Sequence, residues 1–222
     1  MDTKSIKEKA KSLLEGRVLS IFVFIFIITS AASAISSLIN AIQIPGLTFN
    51  FEVTDTTTSQ IQQSSINLLA VIASLLITGP FAFAESNGML KVARNKKASP
   101  DIIGEAKNAF SSDNMMRAIV ANLRVDIFVA LWTCVFFIPG IYKAIQYSQT
   151  MRILADNDKM SAAEAQKKSM EIMKGHTWDY IKLMLSFFGW YLLTAFTLGI
   201  ASIYVSPYTE LTKVEFYEKI KK

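Results

Sequence analysis

Residues 136–157 read FFIPGIYKAIQYSQTMRILADN, and the architecture depends on whether the chain turns back within them. An apolar run arrives at Pro139-Gly140 and a more polar run leaves it. Proline disfavours helix in the residue before it, and glycine tolerates the backbone angles of a tight turn. The pair therefore predicts a turn followed by a short returning helix over 140–157. At 1.5 Å per residue that helix would be roughly 25 Å long, nearly enough to cross a bilayer.

The composition around this stretch is that of a membrane protein. Hydrophobic residues make up 51% and charged residues 18% of the 222 residues, whereas a soluble chain carries about a quarter charged residues. A soluble helical bundle would show polar faces within its apolar runs, and the run IFVFIFII shows none. Four runs approach the ~20 residues that cross the hydrocarbon layer: Val18 to Ile44, Ile66 to Ala84, Ala118 to Ile138 and Ile181 to Val205.

Lysine and arginine accumulate in cytoplasmic loops, so their positions predict the orientation. The residues before the first run are rich in lysine, whereas 43–65 contain no Lys or Arg. If the third run crossed only once, the basic segment from Gly140 to Tyr180 would lie outside, against this rule. A turn at Pro139-Gly140 and another at Leu198-Gly199 remove the conflict. We therefore expect both ends of the chain in the cytoplasm, in a multi-pass protein of the cytoplasmic membrane.

The predicted fold class is all-α, a polytopic transmembrane protein of about six membrane helices arranged as three helical hairpins. The predicted membrane helices cover 17–44, 66–92, 116–138, 140–157, 178–198 and 199–219 of a single integral membrane domain (1–222). Short interfacial amphipathic helices are expected at 3–15, 100–112 and 161–175, the last beginning with the capping box Ser161-Ala-Ala-Glu164. The first hairpin has a loop of some twenty residues, and the other two have tight turns.

The first apolar run admits a second interpretation as a signal peptide with an Ala32-x-Ala34 cleavage site. Apolar character continues to Ile44, however, which favours a full membrane helix. The single cysteine, Cys134, excludes a disulfide within the chain.

Ionisable residues inside membrane helices cost several kcal/mol unless they are paired, so each marks a candidate site. Five such residues have similar predicted depths and form a hypothetical intramembrane polar cluster: Glu85, Arg124, Asp126, Glu210 and Lys213. Arg124 and Asp126 are two residues apart, so they face different ways on a helix and should pair with other helices. A structural ion-pair network is one interpretation. The other is an ion or substrate path, aided by a break of the last helix at Pro207.

Two basic pairs, Lys96-Lys97 and Lys167-Lys168, form a candidate cytoplasmic surface for anionic lipid headgroups or a protein partner. Catalytic motifs such as HExxH and GxSxG are absent from the sequence, as is any Cys/His metal set. We expect no enzymatic activity, no catalytic residues, no cofactor, no metal and no nucleic-acid partner.

The C-terminal half carries a recognisable set of short motifs: Pro139-Gly-Ile141, Ser169-Met-x-x-Met-x-Gly175, Leu185-Ser-Phe-Phe-Gly-Trp190, Leu198-Gly-Ile200, Pro207-Tyr208 and Phe216-Tyr217. This set resembles a bacterial integral-membrane family catalogued as domain of unknown function 975, and Ala10-Lys-x-x-Leu-x-Gly16 resembles the start of that family. The resemblance implies a bacterial membrane protein of several helices. It brings no catalytic residues to carry over.

The favoured function is that of a non-enzymatic membrane protein that binds a partner or modulates envelope processes. The alternative is a small transporter or channel built around the polar cluster, expected as a homo-oligomer because six short helices enclose little space. An intramembrane enzyme is a third, weaker hypothesis.

Overall fold

The computed structural model describes residues 3–42, 48–55, 60–95 and 98–221, and these contain eleven helices and two strands. The elements in chain order are α1 (Thr3–Leu14), α2 (Val18–Asn40), β1 (Thr48–Asp55), β2 (Gln60–Asn67), α3 (Leu68–Arg94), α4 (Ile102–Ala109), α5 (Ser112–Val135), α6 (Phe137–Tyr147), α7 (Thr150–Asp156), α8 (Ala162–Met173), α9 (Thr177–Leu185), α10 (Phe188–Phe196) and α11 (Ser202–Ile220).

The predicted helical class is confirmed, and the structure adds a hairpin of strands in the predicted loop of the first helix pair. β1 and β2 are antiparallel, with Thr48 opposite Asn67 and Asp55 opposite Gln60. The segment TFNFEVTD contains aromatic and β-branched residues at close intervals, which favour extended backbone. Charge counting locates such a loop but carries no information on its secondary structure.

The chain turns back between α5 and α6, three residues before the predicted turn. Phe136 has extended backbone angles (φ −152°, ψ 127°) and separates the two helices. Pro139 lies in the first turn of α6, where its missing N–H costs no helical hydrogen bond. A Cβ atom on Gly140 would lie 2.7 Å from the Cα atom of Thr133, so glycine permits the close approach of α5 and α6.

Two of the predicted continuous helices are broken in the middle. The helix predicted over 140–157 is α6 followed by α7, with a break at Ser148-Gln149, and the helix predicted over 178–198 is α9 followed by α10, with a break at Ser186-Phe187. The turn between α10 and α11 does lie at Leu198-Gly199, whose φ angles are 50° and 92°. Pro207 lies inside α11 and does not end it, so the expected break of the last helix is absent.

α3 occupies the centre of the molecule and packs against α2, α4, α5, α7 and α11. Its glycines allow two close approaches, because a Cβ atom on Gly79 would meet the backbone of Ala118, and one on Gly88 would meet the ring of Phe24. α1 lies against α11 and α9, and α8 packs on α5, α6 and α7. The two helices predicted to be interfacial at the chain start and at 161–175 are therefore docked on the bundle.

Among the described residues, two helices are long and apolar enough to cross a membrane, Val18–Ile39 and Ser112–Val135. Only 22% and 11% of the residues in their apolar windows are buried. The core helix of a soluble protein would have most of these residues buried. Both helices therefore present apolar side chains outward.

Candidate functional site

Four charged side chains from three helices meet inside the bundle. Glu210 of α11 accepts a hydrogen bond from Lys213 at 2.7 Å and one from Arg152 of α7 at 3.2 Å. Glu85 of α3 interacts electrostatically with all three. The side chains of Arg152 and Glu210 are only 11% and 20% exposed. We call these four residues, Glu85, Arg152, Glu210 and Lys213, the inner charge cluster.

A small cavity separates the two carboxylates of the inner charge cluster. Its volume is about 190 Å³, and it is lined by Ala82, Glu85, Ser86, Met89, Arg152 and Glu210. Pockets that hold drug-sized ligands are usually about 300–1,000 Å³. This cavity therefore suits water molecules or a small ion better than an organic substrate.

The structure brings together three of the five residues proposed for the polar cluster, Glu85, Glu210 and Lys213, and places the other two elsewhere. Arg124 donates a hydrogen bond from Nε to Gln166 of α8 at 3.2 Å. Asp126 accepts one from Asn122 on its own helix at 2.7 Å. The bond of Arg124 to α8 agrees with the expectation that these two residues pair with other helices. For Asp126 that expectation is wrong, because its partner lies one turn away on α5 itself.

Arg152 belongs to the cluster, although the sequence analysis leaves it out of the candidate residues. One signal in the sequence points to it. Arg152 lies within the segment 140–157 that is predicted to be a membrane helix, and an ionisable residue in such a helix marks a candidate site.

A second group of charges ties helix ends together around Asp156, the last residue of α7. Arg94 at the end of α3 contacts Asp156 at 2.5 Å and Glu218 at 2.8 Å, and Lys221 contacts Asp156 at 3.2 Å. The Tyr217 hydroxyl donates to Asp156 at 3.0 Å. Burial acts to raise the pKa of Asp156, but the hydrogen bonds from Arg94 and Tyr217 and the charge of Arg94 outweigh it, so this pKa lies below its usual value.

Arginine side chains at two helix starts also hold loop carbonyl groups. Arg117, near the start of α5, donates to the carbonyl oxygens of Asn157 at 2.6 Å and Met160 at 2.7 Å. Arg17, just before α2, donates to the carbonyl of Ala98 at 2.8 Å. The ends of α3, α7 and α11 therefore lie on the same side as the starts of α2 and α5. We call this side the ionic face.

The candidate basic surface is only partly described. Lys167 is exposed and Lys168 half-buried on α8, which begins with the predicted capping box of Ser161 and Glu164. Lys96 and Lys97 lie outside the described residues.

The structure also places the side chains that could take part in metal or thiol chemistry. No group of three or more His, Cys, Asp or Glu side chains is placed to hold a metal ion there. Cys134 is exposed, near the end of α5. His176 lies 3.5 Å from Asp179.

Comparison with known proteins places the C-terminal region in a family. Residues 133–222 match the family model described as protein of unknown function (DUF975). This region is similar to the DUF975 family. The resemblance seen in its motifs is thereby confirmed, while Ala10 to Gly16 lie outside the matched range. No curated protein matches the chain. No solved structure matches it.

The DUF975 motifs coincide with the turns and helix breaks of α6 to α11. Ser169 bridges the break between α6 and α7: its hydroxyl donates to the carbonyl of Gln146 at 2.6 Å and accepts from the backbone N–H of Gln149 at 3.3 Å. Gly175 and Gly199 have φ angles of 85° and 92°, which side chains rarely adopt. These motif residues shape the backbone at the turns and helix breaks.

Proposed function

We propose that the chain is a non-enzymatic, multi-pass protein of the bacterial cytoplasmic membrane that binds a partner on its ionic face. The observation that carries the membrane part is the exposure of large apolar side chains on α2, α5 and α10. No residue of α10 is buried, and Phe196 and Leu198 are 84% and 95% exposed. In water such a surface would cause aggregation, whereas lipid tails cover it at no cost.

The contacts of the ionic face support three hairpins that cross the membrane six times. α2 and α3, and α5 and α6–α7, each leave this face and return to it. α11 ends on it, and the proposal adds that α9 starts there. The face carries the lysines and arginines at the helix ends, so the rule for cytoplasmic charges orients it inward. The strands β1 and β2 then lie outside. They fall almost entirely within residues 43–65, which contain no Lys or Arg.

The expected partner is acidic, because several acidic residues of the ionic face are already paired within the protein. Glu105, Glu215 and Glu218 have cationic partners at 2.7 Å, 2.5 Å and 2.8 Å. Several lysines remain exposed to solvent, namely Lys107, Lys159 and Lys167. Anionic headgroups attract such lysines by about 1 kcal/mol each, and an acidic protein surface offers the same attraction with a fixed geometry.

Charge reversal on α8 tests this proposal. The double variant Lys167→Glu, Lys168→Glu is compared with wild type by cross-linking in native membranes followed by quantitative mass spectrometry of the products. A specific partner is expected to be cross-linked to wild type and lost in the double variant. Lys11→Glu on α1 is the matched control, because it reverses an exposed lysine on another helix. Equal cross-linking by wild type and both variants would refute partner binding through α8.

Transport of a small ion is a second candidate, favoured by the cavity of about 190 Å³ between Glu85 and Glu210. Neutralising Glu210 would abolish transport in proteoliposomes, whereas loss of partner binding through α8 would leave ion flux unchanged. Asp126→Asn serves as a comparison, because the structure places Asp126 away from the cavity. Because the chain encloses so little space, this function would require a homo-oligomer.

A further inference from the structure

We propose that Glu85 is a proton-binding site, which takes up and releases a proton through the cavity that it shares with Glu210. This site is independent of partner binding at the ionic face. Glu85 is a carboxyl group of α3 for which partner binding at the ionic face has no use.

Charge is divided unevenly within the inner charge cluster. Lys213 and Arg152 both donate to Glu210, at 2.7 Å and 3.2 Å. Glu85 makes no hydrogen bond and no ion pair with any described residue, although it lines the same cavity. Both cations therefore pair with Glu210, and Glu85 faces Glu210 without a cation of its own.

The side chain of Glu85 is half-buried, and the helix that carries it is packed among other helices. α3 packs against α2, α4, α5, α7 and α11. The charged groups that act on Glu85 are Glu210 and Lys213 from α11 and Arg152 from α7. Ala84 and Phe83, its neighbours on α3, are 1% exposed. An ionised carboxylate without a donor in such a place costs several kcal/mol, whereas the neutral acid costs far less.

A proton suits this site better than a metal cation. A metal cation would require several oxygen ligands and would be repelled by Arg152 and Lys213, and the described residues hold no group suited to a metal. A proton requires only the carboxylate. The cavity of about 190 Å³ has room for several water molecules at ~30 Å³ each, so protons can reach Glu85 through it.

A hydrophobic carbodiimide tests the proposal on the full-length protein in native membranes. Dicyclohexylcarbodiimide reacts with a neutral carboxylic acid: the acid proton goes to one nitrogen, the carboxyl oxygen adds to the central carbon, and rearrangement leaves a stable N-acylurea on the side chain. An ionised carboxylate does not supply the proton and reacts slowly. We expect mass spectrometry to find the adduct on Glu85 and not on Glu210, with a yield that falls about tenfold per pH unit above the midpoint. Glu85→Gln removes the adduct and is the control for specificity.

Two variants of neighbouring residues should change the labelling of Glu85 in opposite directions. Glu210→Gln frees Arg152 and Lys213 to face Glu85, so the neutral acid becomes scarcer and labelling at neutral pH should fall at least about tenfold. Lys213→Met removes a cation, so labelling should persist to higher pH. Absence of an adduct on Glu85, a yield independent of pH, or a change of the same sign in both variants would refute the proposal. Because the two expected changes are opposite, a general loss of structure does not reproduce them.

Discussion

Replacing Ser169 by alanine should destabilise the protein strongly, although the substitution removes only one oxygen atom. Ser169 is fully buried, and its hydroxyl serves two backbone groups at the break between α6 and α7. In Ser169→Ala the carbonyl of Gln146 loses its donor and the N–H of Gln149 loses its acceptor. The side chain of Gln149 is also fully buried, so water does not easily replace the hydroxyl.

The magnitude follows from the two unpaired groups. A buried backbone group without a partner costs about 1–3 kcal/mol. The bond to Gln146 is short at 2.6 Å and that from Gln149 is longer at 3.3 Å, so we place the second at the lower end. Together they give about 2–4 kcal/mol. For a chain of this size such a loss lowers the melting temperature by about 5–15 °C.

The assay is equilibrium unfolding in mixed micelles, followed by tryptophan fluorescence, with the melting temperature measured in the same detergent. Ser33→Ala is the matched control, because the exposed Ser33 hydroxyl donates only to Thr29 within its own helix. This control should lie within about 0.5 kcal/mol of wild type. If Ser169→Ala is equally close to wild type, the hydroxyl does not hold the helix break and our explanation of the serine motif is wrong.

Three further predictions concern packing, pH and threading. Gly140→Ala would force α5 and α6 apart and lower the free energy of unfolding by about 1–3 kcal/mol in the same unfolding assay. An unchanged free energy of unfolding would show that the two helices can separate at no cost and would contradict this prediction. The pKa of Asp156 is lowered in the folded state, so its contribution is present above the unfolded value of ~3.9 and is lost as pH falls through the folded pKa. The drop in melting temperature below about pH 4 should therefore be shallower in Asp156→Asn, and equal slopes would contradict the role of Arg94. Lys159→Cys in a Cys134→Ser background should react with a membrane-impermeant thiol reagent only in opened membranes. Labelling in intact cells would refute the six-crossing arrangement.

The sequence predicted the helices well because hydrophobic runs and charge counts report where a chain enters and leaves an apolar phase. The helix expected over 3–15 is Thr3–Leu14 in the structure, and that expected over 100–112 is represented by Ile102–Ala109. The turn after the third apolar run was predicted three residues too late in the chain. A proline marks the neighbourhood of a turn, and the first turn of a helix accepts it as readily as the turn itself.

The helix breaks and the membership of the inner charge cluster could not be predicted from the sequence, because both depend on contacts between distant segments. A break such as Ser148-Gln149 depends on a hydroxyl twenty residues later, Ser169, and no local pattern contains that contact. Membership of the inner charge cluster depends on how helices cross. Equal depth along the membrane normal put Asp126 with Glu210, whereas the crossing of the helices brings Arg152 to Glu210 instead.

The packing of α1 against α11 sets an order on assembly. Lys9 and Glu215, which are joined at 2.5 Å, stand roughly 200 residues apart in the chain. A ribosome adding about 5–20 residues per second completes the last helix about 10–40 s after the first. During that interval the buried face of α1, with Ile6, Ala10 and Leu13, has no α11 to cover it. Of these two helices, α1 is thus made early and reaches its final place late, and its docking on α11 completes the packing of the bundle.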